Sequence, residues 1–232
     1  MSKYLEVMII VEGKTEQVFI ERVLAPYLAE KMIFVYATQV SKPGQKSGDI
    51  RFSRVCQDLG NHLKQRPDTI VTTFIDYYGT KEWPGLAEIQ PHSTPAQIAE
   101  QLNNASQQEI NSRFAIYRSD TRFIPFMAIH EFEALLFSDS KVLASALEID
   151  ESQVIAVLEE CGEPEAINNS PQTAPSKRLN SWSADGKFAK TTQGITIAEI
   201  TGISKIREKC PLFNRWLEQL EAACLTAVAP AD

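Results

Sequence analysis

Short, nearly continuous apolar runs alternate along the chain with longer stretches in which apolar residues recur every three to four positions. LEVMIIV, residues 5–11, is apolar apart from Glu6 and rich in β-branched residues, the pattern of a strand covered on both faces. The run stops at Glu12-Gly13. From there Val18, Phe19, Val23 and Leu24 fall at helical spacing and predict a helix to about Leu28, with Thr15 as its N-cap. MIFVYATQV (32–40) predicts a second strand, and SKPGQKSGD (41–49) a loop on its Gly and Pro content. Ile50, Val55, Leu59 and Leu63 predict a second helix, and TIVTTFI (69–75) a third strand that ends at Asp76.

Strand, helix, strand, helix, strand is the order of a parallel α/β sheet with helices on both faces, in which ligands gather beyond the carboxyl ends of the strands. Two of those ends carry an acid, Glu12 after the first strand and Asp76 after the third. Further on, Thr94-Pro95-Ala96-Gln97 reads as a capping box with Pro at the first helical position, so 95 to about 108 is expected to be helix. FIPFMAI (123–129) is strand-like, and HEFEALLFS (130–138) follows with Phe132, Leu135 and Leu136 at helical spacing. After Asp139 the character changes to short helices around 141–148 and 151–160, a polar, proline-bearing stretch at 167–179, and helices broken at Gly202 and Pro211. The expected division is an α/β domain over 1–139 and a helical C-terminal extension over 140–232, packed on it.

Composition narrows the function classes. With 232 residues, 44% hydrophobic and 23% charged, the chain has ordinary globular composition and is long enough to bury a sizeable core. Cys56, Cys161, Cys210 and Cys224 form no C-x-x-C pair, which supports neither a zinc knuckle nor a disulfide framework. The N-terminal apolar run from Val7 to Val11 is far below the ~18 residues that span a bilayer, so a soluble, cytoplasmic protein away from membranes is expected. A net charge of −7 argues against a uniformly basic nucleic-acid surface. It leaves a nuclease open, because carboxylates that hold a metal are themselves negative.

Gly13-Lys14-Thr15 looks like the tail of a phosphate-binding loop, but the position where that loop needs its first glycine is Met8. What remains is a set of polar groups where apolar elements end: Glu12, Glu16, Asp76, His130, Glu131 and Glu133. Hard oxygen ligands in twos and threes suit Mg²⁺ or Mn²⁺. Each also has a plainer reading: Glu16 as a complement to a helix dipole, Asp76 as a turn residue, His130 as a cap or core residue. On a helical wheel Glu131 and Glu133 point apart, so one is expected at the site and the other in solvent, with Glu133 favoured because it shares a face with His130. Lys14, and Lys42, Lys46 and Arg51 from the glycine-bearing loop, are candidate phosphate contacts, although lysines in a polar loop are more often simply solvated.

The segments IIVEGKTEQVF and FIDYYG resemble the Toprim fold of topoisomerases, primases and the overcoming-lysogenisation-defect nucleases. More closely, VEGKTE, TTFIDYYG, RFIPFMAIHEFEALLFSD, NSPQTAPSKRL and CPLFNRWL resemble an uncharacterised bacterial family, the domain of unknown function 4276. That resemblance implies a Toprim-like, mainly parallel sheet flanked by helices, in which Glu12 after the first strand and Asp76 after the third hold Mg²⁺ or Mn²⁺; from the residues themselves, Glu16 and Glu133 are expected to help hold the ion, and His130 and Lys14 are candidates for the chemistry. It implies a nuclease acting on DNA in phage defence beside an ABC- or AAA-type ATPase; the alternative is a non-catalytic adaptor of such an ATPase. The Toprim pattern carries D-x-D after the third strand, whereas here Asp76 is followed by Tyr77-Tyr78.

Overall fold

The computed structural model describes residues 4–41, 50–78, 80–129, 131–167 and 172–228. Among the described residues five strands form one sheet: β1 (Leu5–Val11), β2 (Ile33–Gln39), β3 (Thr69–Asp76), β4 (Phe123–Ile124) and β5 (Met127–Ala128). Their order is β2-β1-β3-β4, with β5 also on β3, and every pairing is parallel. The fold is α/β, with a parallel sheet flanked by helices and a helical C-terminal part.

Because side chains alternate across a strand, β1 feeds two cores. Leu5, Val7, Ile9 and Val11 face one hydrophobic cluster, and Met8 and Ile10 the other. The second cluster is closed by α3 (Phe52–Gln65) and α4 (Pro95–Phe114), through Val55, Leu59, Leu102 and Ile110. The first takes in the helix after β1 and the C-terminal helices α9 (Ile195–Thr201), α10 (Ile203–Lys209) and α11 (Pro211–Val228). From α11, Trp216 stacks on Phe126 with ring centroids 4.6 Å apart and donates its indole N–H to Thr72 of β3 at 2.9 Å. No described helix is long and apolar enough to cross a membrane.

The helix after β1 begins two residues earlier than the sequence suggests, as α1 (Lys14–Phe19) with Gly13 rather than Thr15 at the N-cap. It continues through a π-helical turn, Ile20–Leu24, into α2 (Ala25–Ala29). Thr94 does cap α4: its hydroxyl accepts the Gln97 N–H at 3.3 Å and the Gln97 side chain accepts the Thr94 N–H at 2.9 Å. The 123–129 run is split at Pro125 into β4 and β5, since proline has no ladder donor. Thr73 restores the lost pairing, its hydroxyl donating to the Phe126 carbonyl at 2.9 Å and lying 3.0 Å from the Phe126 N–H. In place of an α-helix over 130–138 there is a 3₁₀-helix, Phe132–Ser138, buried at every position. Beyond α5 (Ser119–Arg122), α6 (Ser140–Leu147) and α7 (Glu151–Cys161), the polar stretch contains a helix, α8 (Pro175–Trp182).

Candidate active site

The parallel register pairs Val11 of β1 with Phe74 of β3, so Glu12 and Asp76 leave the carboxyl edge of the sheet within one register step of each other. Glu16 lies in the first turn of α1, where its carboxylate accepts the Gly13 N–H at 2.9 Å. This satisfies one orphan donor of the helix start and holds the carboxylate over the turn that follows β1. A Cβ at Gly13 would sit 3.3 Å from that same Glu16 oxygen, so a larger residue there would require the carboxylate to shift by a few tenths of an ångström.

Opposite, Glu131 is in extended conformation just before the 3₁₀-helix, and Glu133 lies in its first turn. The wheel that set them apart assumed an α-helix, so the expectation that one of them is solvated fails: both are buried, 9% and 2% exposed. Their duties differ. Both Glu131 oxygens are committed to α8, accepting the Ser176 N–H at 2.9 Å and its hydroxyl at 2.8 Å. Glu133 forms an ion pair with Lys190, which opens the π-helical turn Lys190–Gly194.

Asp76 lies among these groups. Its Oδ1 is sealed from solvent and has no hydrogen-bond partner among the described residues. Burial pushes its carboxyl well above the usual carboxylate range, and the negative charges of Glu16, Glu12, Glu133 and Glu131 push it further. Glu133 is raised as well, by burial, although the Lys190 ammonium works against this. Four acids from two other segments thus act on one aspartate.

The phosphate-contact candidates are less concentrated. Lys14 is exposed at the start of α1, its ammonium 3.4 Å from the Gln17 side-chain oxygen. Arg51 is the exposed N-cap of α3 and makes an isolated parallel bridge with Glu82. His130, Lys42 and Lys46 lie outside the described residues.

The model of one family, described as a domain of unknown function (DUF4276), matches residues 11–221. The chain belongs to that family. None of the curated proteins matches it. Among solved structures, this DUF4276 protein is similar to the C-terminal region of the Xanthomonas campestris pv. campestris OLD protein, in one form phased with iodine and in another with mercury. Identity is 15% and 14%, TM-scores are 0.37 and 0.38, and 95% of this chain and 96% of the other are covered in both comparisons. Likenesses that low say nothing about this protein's chemistry.

The donor set of the DUF4276 site does fit a hard divalent cation: carboxylate oxygens only, one of them sealed and unpartnered. As the side chains stand, no three His, Cys, Asp or Glu among the described residues form a ready cage for an ion. Two residues of this environment went unread in the sequence, Lys190 and Ser176. Neither belongs to an acid motif, and no local spacing ties Lys190 to Glu133. For Ser176 there was a faint signal, since a hydroxyl in the first turn of a helix after Pro175 can meet an acceptor there.

Proposed function

We propose that this protein is a metal-dependent phosphodiesterase, specifically a DNA nuclease that serves phage defence beside an ABC- or AAA-type ATPase. The observation that carries the proposal is Asp76 Oδ1, buried without a partner at the carboxyl edge of a parallel sheet and ringed by the charges of Glu12, Glu16, Glu131 and Glu133. An arrangement that places like charges around an unsatisfied buried oxygen is costly for a fold and useful to a cation site. Glu12, Glu16, Asp76 and Glu133 would hold Mg²⁺ or Mn²⁺, while Glu131 stays with Ser176. When bound, such an ion supplies Lewis-acid polarisation of phosphoryl oxygens and activation of water.

The chain's own groups have complementary tasks. Asp76 and Glu12, on strand ends, give the site a rigid floor, and the Glu16 hydrogen bond to Gly13 holds a third carboxylate in place. Lys14, exposed at the rim, is free of the core and able to meet a phosphate oxygen as a point charge. DNA as the substrate and an ATPase as the partner rest on the resemblance of the motifs. The test is cleavage of supercoiled plasmid, of RNA and of bis(p-nitrophenyl) phosphate in Mg²⁺ or Mn²⁺, with and without an added ABC- or AAA-type ATPase. Metal-dependent plasmid cleavage that Asp76→Asn reduces at least ~100-fold, about 2.7 kcal/mol in barrier, supports the reading. Equal cleavage by Asp76→Asn overturns it, and no cleavage by any preparation moves the protein to the adaptor class.

A further inference from the structure

As a ligand Glu133 would face a divalent ion, yet it already faces a cation. Its carboxylate, 2% exposed, is paired with the Lys190 ammonium, whose side chain keeps 45% of its surface in water. The pair thus has an inner member set in the core and an outer member at the surface. Glu133 lies in the first turn of the 3₁₀-helix, buried at every position. Lys190 carries its charge on a flexible four-carbon stem.

The backbone beneath Lys190 is held independently of that ion pair. Lys190 opens the π-helical turn Lys190–Gly194, a form that recurs at functional positions. Thr191 meets Thr15 of α1 hydroxyl to hydroxyl at 3.2 Å, the Gln193 side chain donates to the Ala146 carbonyl at 2.9 Å, and Gly194 sits so close that a Cβ there would lie 3.2 Å from the Phe188 ring. None of these contacts involves the ammonium. The side chain can leave Glu133 while the turn stays where it is.

We propose that Lys190 is a placeholder for the divalent ion: its ammonium neutralises Glu133 in the metal-free protein and gives the carboxylate up when the ion binds. This rests on the metal-dependent reading above, and it reconciles the ion pair with the role of Glu133 as a ligand. A carboxylate so deeply buried among other acids is costly to keep ionised without a cation beside it. An ammonium meets that need without demanding a coordination shell, so it is exchangeable. A divalent ion carries twice the charge and attracts several acids at once, which lets it displace a single lysine. As the side chains stand, the acids among the described residues form no ready cage; release of Glu133 is the step that lets it join one.

The test reads metal binding and lysine reactivity rather than cleavage. By calorimetry, Lys190→Met is expected to bind Mn²⁺ about tenfold more tightly than wild type, because the competing form is gone. In a Glu133→Gln background the same substitution should change affinity less than about twofold, since no carboxylate is left to compete for. A tightening that persists there would be a general effect of charge and would overturn the proposal, as would unchanged or weaker binding by Lys190→Met. Lys190→Gln repeats the measurement if the methionine variant folds poorly. On the wild-type protein alone, labelling of Lys190 with acetic anhydride, read by mass spectrometry against the exposed Lys187, should rise at least about fivefold on adding Mn²⁺. An unchanged Lys190 signal overturns the proposal and leaves the metal reading intact; no Mn²⁺ binding by any form overturns both.

Discussion

Neighbouring glutamates at 131 and 133 carry different burdens, and the difference is testable at single residues. Glu131 ties α8 to the segment before the 3₁₀-helix through both of its oxygens. Glu131→Gln replaces one acceptor by an amide that faces a donor, so it should cost about 1–3 kcal/mol of stability, the penalty for a buried group left unpaired, measured by urea denaturation. Glu133→Gln should instead reduce metal-dependent cleavage roughly 100-fold, because it takes a charge from the site and strands Lys190. A Glu131→Gln protein as stable as wild type, or a fully active Glu133→Gln protein, would mean that the two roles are reversed. The sequence made both acids visible but not their division of labour. Phe132, Leu135 and Leu136 recur at a spacing that α- and 3₁₀-helices share, and in a segment buried at every position no polar face remains to reveal the period. Lys190 was hidden for a different reason: only tertiary packing brings it to Glu133.

Elements were legible where local signals and packing agreed. The apolar runs of β1 and β3 gave these strands nearly to the residue, and Thr94 with Gln97 gave the start of α4. At Gly13 the capping signal was present, with Glu16 three residues on, but Thr and Gly are about equally favoured at an N-cap, so residue type did not separate Gly13 from Thr15. A second helix start offers a pH test. Glu165 accepts the Leu212 N–H at 2.7 Å and the Phe213 N–H at 3.0 Å at the beginning of α11. Burial nonetheless lifts its carboxyl from 4.5 to about 7, against the pull of those two bonds. A carboxyl raised on folding contributes stability that is complete below about 4.5 and lost as pH climbs through about 7. The loss is at most about 3.5 kcal/mol. Asp76 and Glu133 are shifted the same way, so the quantity to measure is the difference in unfolding free energy between wild type and Glu165→Gln at about pH 5 and pH 8. It should move in favour of the variant as pH rises; a pH-independent difference would show that the carboxyl stays ionised throughout.

On the scale of the whole molecule, the C-terminal helices and the sheet share one core. Trp216, Phe213 and Leu217 of α11 lie in the same buried cluster as Leu5, Val7 and Phe74, and Trp216 reaches Thr72 in the sheet. A chain cut after Asp139 would therefore expose one face of the sheet to water and should be recovered as aggregate. Trp216→Ala should cost about 3–5 kcal/mol, seen as a fall in the denaturation midpoint; a soluble, cooperatively folding 1–139 fragment would contradict the shared core. The same packing brings Lys190 and Ser176 to Glu133 and Glu131, some 45 to 57 positions earlier in the chain. The account as a whole depends on Asp76 being the seat of a divalent ion, and thermal unfolding of wild type and Asp76→Asn with and without Mn²⁺ tests that most directly. Without metal, Asp76→Asn should melt above wild type at neutral pH, since it removes a buried, mutually repelled carboxylate. With Mn²⁺ at ~100 times its Kd, wild type should gain about 2.7 kcal/mol by mass action and Asp76→Asn nothing. An Mn²⁺ stabilisation of equal size in both proteins would place the ion elsewhere and contradict the account.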